Sequence, residues 1–201
     1  MCARNLEIYP LIYADPGNVT LVEAGRGFQI ALVGVEPEFK SSLEATYFFL
    51  VMKNGVPMAY GPAGVLMGCC EMGINLFPEF RGGEIRYIYS QFMRALYHIL
   101  SVRYFFLMEY GMGLDNKEAI DSGAFWFYRK LGFKPTNPEV ERLARQEELK
   151  MASIKGHRSD RKMLHKLSHT KAYFDLSGGA CHPVRFGSIG LGVTQMAARK
   201  Y

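Results

Sequence analysis

The residues with the most readable chemistry lie in a glycine-rich turn, FRGGE, from Phe80 to Glu84. An apolar segment ends before this turn, and a segment with helical periodicity follows it. Such a turn directs backbone N–H groups and the positive end of a helix dipole to one side, which suits phosphate oxygens. Arg81 would add a guanidinium able to contact phosphate through two hydrogen bonds. The glycine spacing fits neither a Walker A motif nor a dinucleotide-binding motif, and a purely structural turn remains an alternative.

Other reactive side chains are weaker candidates. His165 and His169 are four residues apart and could form a metal pair on one helical turn, but no third ligand is evident, so we predict no metal. Cys69 and Cys70 have no histidine nearby in sequence and are more typical of a core. An adjacent cysteine pair suits neither a disulfide framework nor a zinc knuckle, which favours a reducing, cytoplasmic location.

Length and composition predict one well-packed domain over residues 1–201. The pattern becomes polar and amphipathic after Thr136, so we expect a core at about 19–135 and a helical extension at 136–201. Hydrophobic residues make up 49% of the chain, yet no apolar run is long enough for a transmembrane helix, and the first residues lack the pattern of a signal peptide. We therefore predict no membrane partner. The sequence leaves open that the chain is one part of a longer protein.

The net charge of +5 is unevenly distributed along the chain. Residues 1–134 carry 12 basic and 13 acidic side chains, whereas residues 135–201 carry 12 basic and 6 acidic ones. A basic segment can bind nucleic acid, but no binding motif accompanies it, and we predict no nucleic-acid partner. A solvated helical face is the favoured interpretation, and a contribution to capturing a small anionic ligand is the other.

The segments before the turn read as strands. The expected strands are Val19–Val22, Phe28–Val35, Ala45–Lys53, Val56–Tyr60, Val65–Cys70 and Glu71–Phe77. Gly25-Arg26-Gly27 and Asn54-Gly55 are hairpin signals.

The segments after the turn alternate helix and strand. We expect a helix at Glu84–Leu100, a buried strand at Val102–Tyr110, a helix at Lys117–Lys130, helices at Val140–Ala152 and Asp160–Leu167, an edge strand at Ala172–Leu176 and a terminal helix or strand at Ile189–Ala198. A helix between two apolar strands favours a parallel pair and a right-handed crossover, and hence an α/β fold with a mixed sheet.

The order of these segments, with the closing pattern Asn116-x-x-Ala119 and Tyr128-x-x-x-Gly132-Phe133, resembles the GCN5-related N-acetyltransferase (GNAT) superfamily. The resemblance covers about Tyr47 to Pro135. It implies a twisted mixed sheet flanked by helices, with a helical C-terminal extension. It also implies that the pantetheine arm of acetyl-CoA, or of another acyl-CoA, lies between strands Glu71–Phe77 and Val102–Glu109.

The resemblance assigns cofactor-binding positions. Residues of the first strand's end, the turn and the following helix would contact the cosubstrate: Leu76, Phe77, Arg81, Gly82, Gly83, Glu84, Asn116 and Ala119. A main-chain N–H within Asn75–Phe77 would polarise the thioester carbonyl.

One departure concerns the turn. Glu84 and Arg86 stand where the family pattern has small residues, and a carboxylate opposes a diphosphate unless it turns away or pairs with a cation. Three alternatives stay open: coenzyme A binds in a shifted register, the donor is an acyl carrier protein, or the fold is kept without activity.

Acyl transfer to an amine needs a base for the nucleophile and an acid for the leaving thiolate. By the resemblance, Tyr128 is the candidate acid. Glu71 and Glu109 are candidate bases, because each is the one acid of an apolar strand segment. Core packing of Tyr128 and solvation or pairing of either carboxylate are the structural alternatives.

The predicted function is acyl transfer from acyl-CoA to a small-molecule or peptide amine by direct attack in a ternary complex. The rival is a catalytically silent ligand-sensing or interaction module. The sequence does not show whether residues 136–201 cover the site or mediate a homodimer.

Overall fold

The computed structural model describes residues 8, 10–40, 45–80, 83–179 and 186–199. Its strands are β1 Ala14–Gly25, β2 Phe28–Val35, β3 Ala45–Lys53, β4 Val56–Leu66, β5 Cys69–Met72, β6 Asn75–Leu76, β7 Tyr104–Leu107, β8 Lys134–Pro135 and β9 Ala172–Asp175. Its helices are α1 Ile85–Ile99, α2 Glu109–Met112, α3 Lys117–Ser122, α4 Ala124–Leu131, α5 Pro138–Ser153, α6 Arg161–Ser168 and α7 Phe186–Ala198. These elements confirm the predicted α/β class with a mixed sheet and flanking helices.

The chain divides into two compact units, one formed by residues 1–104 and 176–201 and the other by Phe105–Asp175. In the first unit the strands lie in the order β1-β2-β3-β4-β5, and β6 also pairs with β4. Each of these pairs is antiparallel. The alternation of buried Phe28, Ile30 and Leu32 with half-buried residues shows that β2 turns one face to the core.

Two hairpin turns of the first unit follow from local backbone chemistry. Gly25, Arg26 and Gly27 all have positive φ angles between β1 and β2, and so do Asn54 and Gly55 between β3 and β4. Positive φ at both central residues gives the turn twist that matches paired strands, and Asn-Gly adopts it at low cost. Both predicted hairpins are therefore confirmed.

The strands after the second hairpin differ from the prediction. β4 continues past Tyr60 to Leu66, and the expected strand Val65–Cys70 is wrong because Met67 and Gly68, with φ angles of 49° and 75°, form a turn. Beyond this turn β5 and β6 keep one register against β4, since Met72 faces Ala63 and Asn75 faces Tyr60. The expected strand Glu71–Phe77 is thus a single ladder interrupted at residues 73–74.

Helix α1 packs its apolar side on the sheet of the first unit. Ile88, Phe92 and Leu96 recur at helical spacing and are almost fully buried, and the Phe92 ring lies 3.7 Å from the ring of Phe49 in β3. After this helix the N–H groups of Arg103 and Tyr104 donate to the carbonyl of Gly68, directly before β5. Tyr104, the last residue of this part of the first unit, therefore lies beside the residue that precedes β5.

In the second unit the strands lie in the order β7-β9-β8. The prediction of an edge strand at Ala172–Leu176 is wrong, because β9 lies between its two neighbours and the two-residue β8 pairs with it as Lys134 opposite Tyr173. The local sequence of β9 gives no sign of this, since β8 is too short to show a strand pattern.

The helices of the second unit are set by caps and glycines. The expected helix Lys117–Lys130 is divided in two, because Gly123 has a φ of 69° and ends α3. Gly132 ends α4 as predicted, with a φ of 102°. The side chains of Asn137 and Asp160 accept hydrogen bonds from the backbone of α5 and α6, as expected of N-terminal caps.

Candidate functional site

The turn before α1 is the predicted phosphate site. Arg81 and Gly82 lie outside the described residues. Gly83 is exposed, and a Cβ added to it would meet nothing within 4 Å. The side chain of Glu84 makes no capping hydrogen bond to α1. The first N–H groups of the 15-residue helix therefore have no acceptor from the cap side chain, which is the arrangement that suits an anion.

Glu84 has a cationic partner in the first unit. The Nζ atom of Lys53, at the end of β3, lies 2.7 Å from both carboxylate oxygens of Glu84. The side chains are 34% and 52% exposed, so the pair contributes little to folding stability. The contact instead neutralises the carboxylate at the position where the sequence departs from the family pattern. The sequence pattern allows an anion site here only if Glu84 turns away or pairs with a cation. Lys53 is such a cation.

Further cations accompany this turn, and sequence reasoning missed one of them. The guanidinium carbon of Arg26 lies 4.5 Å from the ring centroid of Tyr87, and the Tyr87 hydroxyl donates to the carbonyl of Ala24. Arg86 is exposed in the first turn of α1. Arg26, Lys53 and Arg86 therefore place positive charge on the elements around the turn, and such charge would favour an anion.

The end of the β5–β6 ladder was predicted to offer a main-chain donor to a thioester. Phe77 does not fit that role, because its N–H already donates to the carbonyl of Met58 at 3.0 Å. Its ring lies 5.5 Å from that of Tyr60 in β4, so the side chain packs against the sheet. Leu76 is half-buried opposite Ala59 within β6. Gly73 and Phe77 both donate their N–H groups to β4, so the two-residue period of the ladder directs the Asn75 N–H to β4 as well, and Leu76 remains as the predicted donor.

The two candidate bases occupy different kinds of structure. Glu71 lies in β5, half-buried and opposite Gly64, as expected for an acid in a strand. The prediction that Glu109 belongs to a strand is wrong, because β7 ends at Leu107 and Glu109 is the first residue of α2. There its carbonyl accepts hydrogen bonds from Gly113 and Leu114, and its carboxylate stands at a helix N-terminus, where a negative charge is favoured.

Asn116 and Ala119 have a structural role in the second unit. The Asn116 side chain accepts a hydrogen bond from the Ala119 N–H at 3.1 Å and donates one to the carbonyl of Tyr110 at 3.3 Å. Asn116 therefore caps α3, as its sequence position predicts, and ties the cap to α2. Contacts of these two residues with a cosubstrate stay a prediction.

Tyr128 is a buried residue of α4. It is 7% exposed, and its ring lies 5.1 Å from that of Phe127 and 5.8 Å from that of Phe133. Burial raises its pKa to about 12. The phenol therefore stays protonated at neutral pH and can donate a hydrogen bond, while its aromatic contacts account for core packing as well.

The cysteine pair and the histidine pair, the weaker candidates of the sequence, form no functional site among the described residues. Cys69 and Cys70 are fully buried, and burial raises the pKa of the Cys70 thiol, so it is a poor nucleophile. The ring nitrogens of His165 and His169 approach to 3.4 Å, yet among the described residues no group of three or more His, Cys, Asp and Glu side chains could hold a metal. No helix in the described part of the chain is long and apolar enough to cross a membrane.

A charged network in the second unit was also missed. The guanidinium of Arg129 in α4 donates hydrogen bonds to Glu141 and Glu148 of α5 at 2.7–3.1 Å, and its hydrogen bonding to Glu148 is the main cause that raises the Arg129 pKa. These residues line an open cleft of about 440 Å³ with Arg145. Because its central cation is already satisfied by two carboxylates, the cleft is structural.

No family model matches the chain, and no curated protein matches it. Among solved structures, the Campylobacter jejuni N-acetyltransferase PseH in complex with acetyl coenzyme A is 13% identical over 70% of this chain and 72% of its own, with a TM-score of 0.43. The Vibrio cholerae spermidine N-acetyltransferase in complex with CoA and spermine is 16% identical over 46% of this chain and 53% of its own, with a TM-score of 0.37. Since both scores are below 0.5, the functional assignment depends on the residues above.

Proposed function

We propose that this chain is a GNAT-type acyltransferase that moves an acyl group from acetyl-CoA, or another acyl-CoA, to an amine by direct attack in a ternary complex. The observation that carries the proposal is the turn before α1, where Lys53 neutralises Glu84 and leaves the helix N-terminus to an anion. A diphosphate is an anion of the kind that such a turn suits. The sequence around the turn supports the same proposal. It resembles the superfamily in the order of strand, turn, helix and strand, followed by the closing segment Asn116–Phe133.

The phosphate groups of the cosubstrate would be held by backbone N–H groups of the turn and by Arg26, Lys53 and Arg86. These cations lie on the β1–β2 turn, at the end of β3 and on α1. Cations from three separate elements would suit a ligand with more than one phosphate charge. The sequence pattern suggests that Arg81, Gly82 and Gly83 contact the same phosphate groups, and the proposal includes them on that basis.

In the chemical step the amine nitrogen attacks the thioester carbonyl, the new C–N bond forms and the C–S bond breaks. A base takes one proton from the amine, and Glu71 and Glu109 are the proposed candidates. A phenol with a pKa of about 12 is a weaker acid than a thiol, whose pKa is about 8.5. We therefore assign Tyr128 the role of a hydrogen-bond donor that stabilises the leaving thiolate, which solvent then protonates.

The acceptor class is proposed as a small-molecule or peptide amine. A suitable panel contains a polyamine, an amino sugar and a peptide with a free N-terminus. The test is the rate at which free thiol is released from acetyl-CoA in the presence of each amine. We expect release that depends on one of these amines. Binding of acetyl-CoA without release for any amine or acyl chain would instead favour the rival, a silent ligand-sensing module.

A further inference from the structure

The turn between β1 and β2 holds an arginine in an unusual backbone conformation. Arg26 has a φ of 56°, between Gly25 at 77° and Gly27 at 76°. Glycine adopts this left-handed region without strain, whereas a residue with a Cβ adopts it at a cost in free energy. Asparagine, aspartate or glycine would form the same turn at a lower cost. A strained residue that carries a charge at an exposed turn points to a role other than forming the turn.

Tyr87 of α1 fixes the position of the Arg26 guanidinium. The guanidinium carbon lies 4.5 Å from the centroid of the Tyr87 ring. This ring is anchored twice, because its hydroxyl donates to the carbonyl of Ala24 and its centroid lies 5.5 Å from that of the buried Phe28. Gly25 permits the close approach, since a Cβ there would lie 3.2 Å from the Tyr87 hydroxyl oxygen. The stack covers one face of the exposed guanidinium and leaves its N–H edge open to a ligand.

The charge of Arg26 is not balanced by the acid nearest to it in sequence. Glu23 accepts a hydrogen bond from Gln29 at 2.6 Å. Successive side chains of a strand alternate between its faces, so Gln29 and Glu23 lie on the sheet face opposite to Phe28 and Tyr87. Among the residues that the structure describes, no salt bridge involves Arg26. A fixed guanidinium in this state is suited to bind a phosphate through two parallel hydrogen bonds.

Two cations lie at this corner of the first unit, and they differ in their pairing. The Nζ atom of Lys53 lies 5.1 Å from the ring centroid of Phe28, so the neighbouring rings of Phe28 and Tyr87 each have one cation beside them. Lys53 pairs with Glu84 in the turn before α1. Tyr87, which holds Arg26, follows Glu84 by three residues, which is less than one helical turn. A ligand with a diphosphate at the turn before α1 can therefore place another anionic group on Arg26.

We propose that Arg26 is a specificity-determining residue that binds the ribose 3′-phosphate of coenzyme A, and that Tyr87 is the residue that positions it. This inference rests on the proposed function, in which the diphosphate of the same cosubstrate lies at the turn before α1. Besides that diphosphate, acetyl-CoA has one other anionic group, the 3′-phosphate monoester. This group carries about two negative charges at neutral pH, and its oxygens match the N–H pairs of a guanidinium. A phosphopantetheine arm on a carrier protein lacks it, so Arg26 favours acyl-CoA over a carrier-bound donor.

The experiment compares coenzyme A with 3′-dephospho-coenzyme A by calorimetric titration. We expect the unmodified chain to bind coenzyme A about tenfold more tightly, because the dephospho form loses the charge-assisted hydrogen bonds to Arg26. In Arg26→Gln the two ligands should bind equally, because coenzyme A binds more weakly while the affinity for the dephospho form is unchanged. The matched control Arg94→Gln removes another exposed charge from the same unit and should keep the tenfold preference.

Two further variants distinguish a binding role of Arg26 from a structural one. Tyr87→Leu removes the ring beside the guanidinium, so we expect the preference for coenzyme A to fall to roughly threefold. Arg26→Asn relieves the strained backbone, so it should abolish the preference while leaving stability in urea equal to or above that of the unmodified chain. Loss of stability in Arg26→Asn with the preference intact would show a structural role alone.

Other results separate this inference from the proposed function. If both coenzymes bind equally to the unmodified chain and acetyl-CoA still serves as donor, the Arg26 subsite is wrong and the proposed function stands. If the preference depends on Arg26 but no amine is acylated, the subsite stands and the proposed function fails. Binding of neither coenzyme would overturn both. An equal loss of preference in Arg26→Gln and Arg94→Gln would show a general effect of charge and overturn the subsite.

Discussion

Lys53 and Glu84 form an ion pair between the end of β3 and the turn before α1, with the ammonium nitrogen 2.7 Å from each carboxylate oxygen. The two residues are 31 positions apart in sequence. The pair connects the end of β3 to the start of α1 and neutralises the carboxylate that would most strongly repel phosphate. Glu84 and Lys53 can therefore be tested together by single and double substitution.

Removing the cation should weaken cosubstrate binding. In Lys53→Met the carboxylate of Glu84 would face the phosphates uncompensated, so we expect the Kd for acetyl-CoA to rise roughly five- to tenfold by calorimetric titration. Adding Glu84→Gln should restore most of the affinity, because it removes the charge that Lys53 balances. The exposed Lys40→Met is the control. Equal affinity in all four proteins would contradict a phosphate site at this turn.

The hydroxyl of Tyr128 should matter for turnover more than for binding. Tyr128→Phe keeps the aromatic packing, so we expect kcat to fall roughly 10²-fold with the Kd for acetyl-CoA nearly unchanged. With a pKa of about 12, the phenol should produce no loss of activity with rising pH below about pH 11. Tyr97→Phe, which keeps the ring beneath Arg103, is the matched control. A lower melting temperature without loss of kcat would support the core role alone.

Glu147 should contribute to stability in a defined range of pH. It is 3% exposed and accepts hydrogen bonds from Lys150, His157 and Ser159, and the bond from Lys150 is the main cause that lowers its pKa to about 2. Because the folded pKa lies below the ordinary value of 4.5, the stabilisation is full above about pH 4.5 and is lost as pH falls toward 2.

The corresponding variant is Glu147→Gln. At pH 7 we expect a loss of about 2–3 kcal/mol in the free energy of unfolding, measured in urea, and a shallower decrease of stability between pH 4.5 and 2. The exposed Glu139→Gln, which loses only its pair with Arg142, should change stability by no more than about 0.5 kcal/mol. Similar effects of the two substitutions would show that the Glu147 network is not a buried one.

The interrupted ladder of β5 and β6 predicts a contrast between two glycines. A Cβ at Gly61 would lie 2.2 Å from the carbonyl oxygen of Gly73, whereas a Cβ at Gly73 would meet nothing within 4 Å. Gly61→Ala should therefore lower the free energy of unfolding by more than about 2 kcal/mol, and Gly73→Ala should lower it by less than about 1 kcal/mol, as measured by chemical denaturation. Equal tolerance of both substitutions would contradict the close approach of β4 to residue 73.

Features with a local cause could be predicted from the sequence. Asn54-Gly55 adopts its turn because of its own backbone preferences, and Asn116, Asn137 and Asp160 cap the helices that follow them. Strand β2 was predicted with its observed bounds because it is a β-rich run that follows the hairpin signal Gly25-Arg26-Gly27.

Features that depend on distant neighbours could not be predicted. Glu109 follows an apolar strand without a break in the sequence pattern, but the chain turns into α2 after Leu107. Nothing near β9 in sequence shows that β8 pairs with it. The cations of the candidate site, Arg26 and Lys53, reach the turn only through the pairing of strands and the packing of α1.

The most direct test of the account is binding of acetyl-CoA to the unmodified chain, followed by thermal unfolding. With ligand at 100 times its Kd, the predicted gain in stability is about 2.7 kcal/mol, which gives a rise in melting temperature of several degrees. The Lys53→Met variant should show a smaller rise at the same ligand concentration. No rise with millimolar acetyl-CoA or coenzyme A would contradict the assignment of the turn before α1 as a coenzyme A phosphate site.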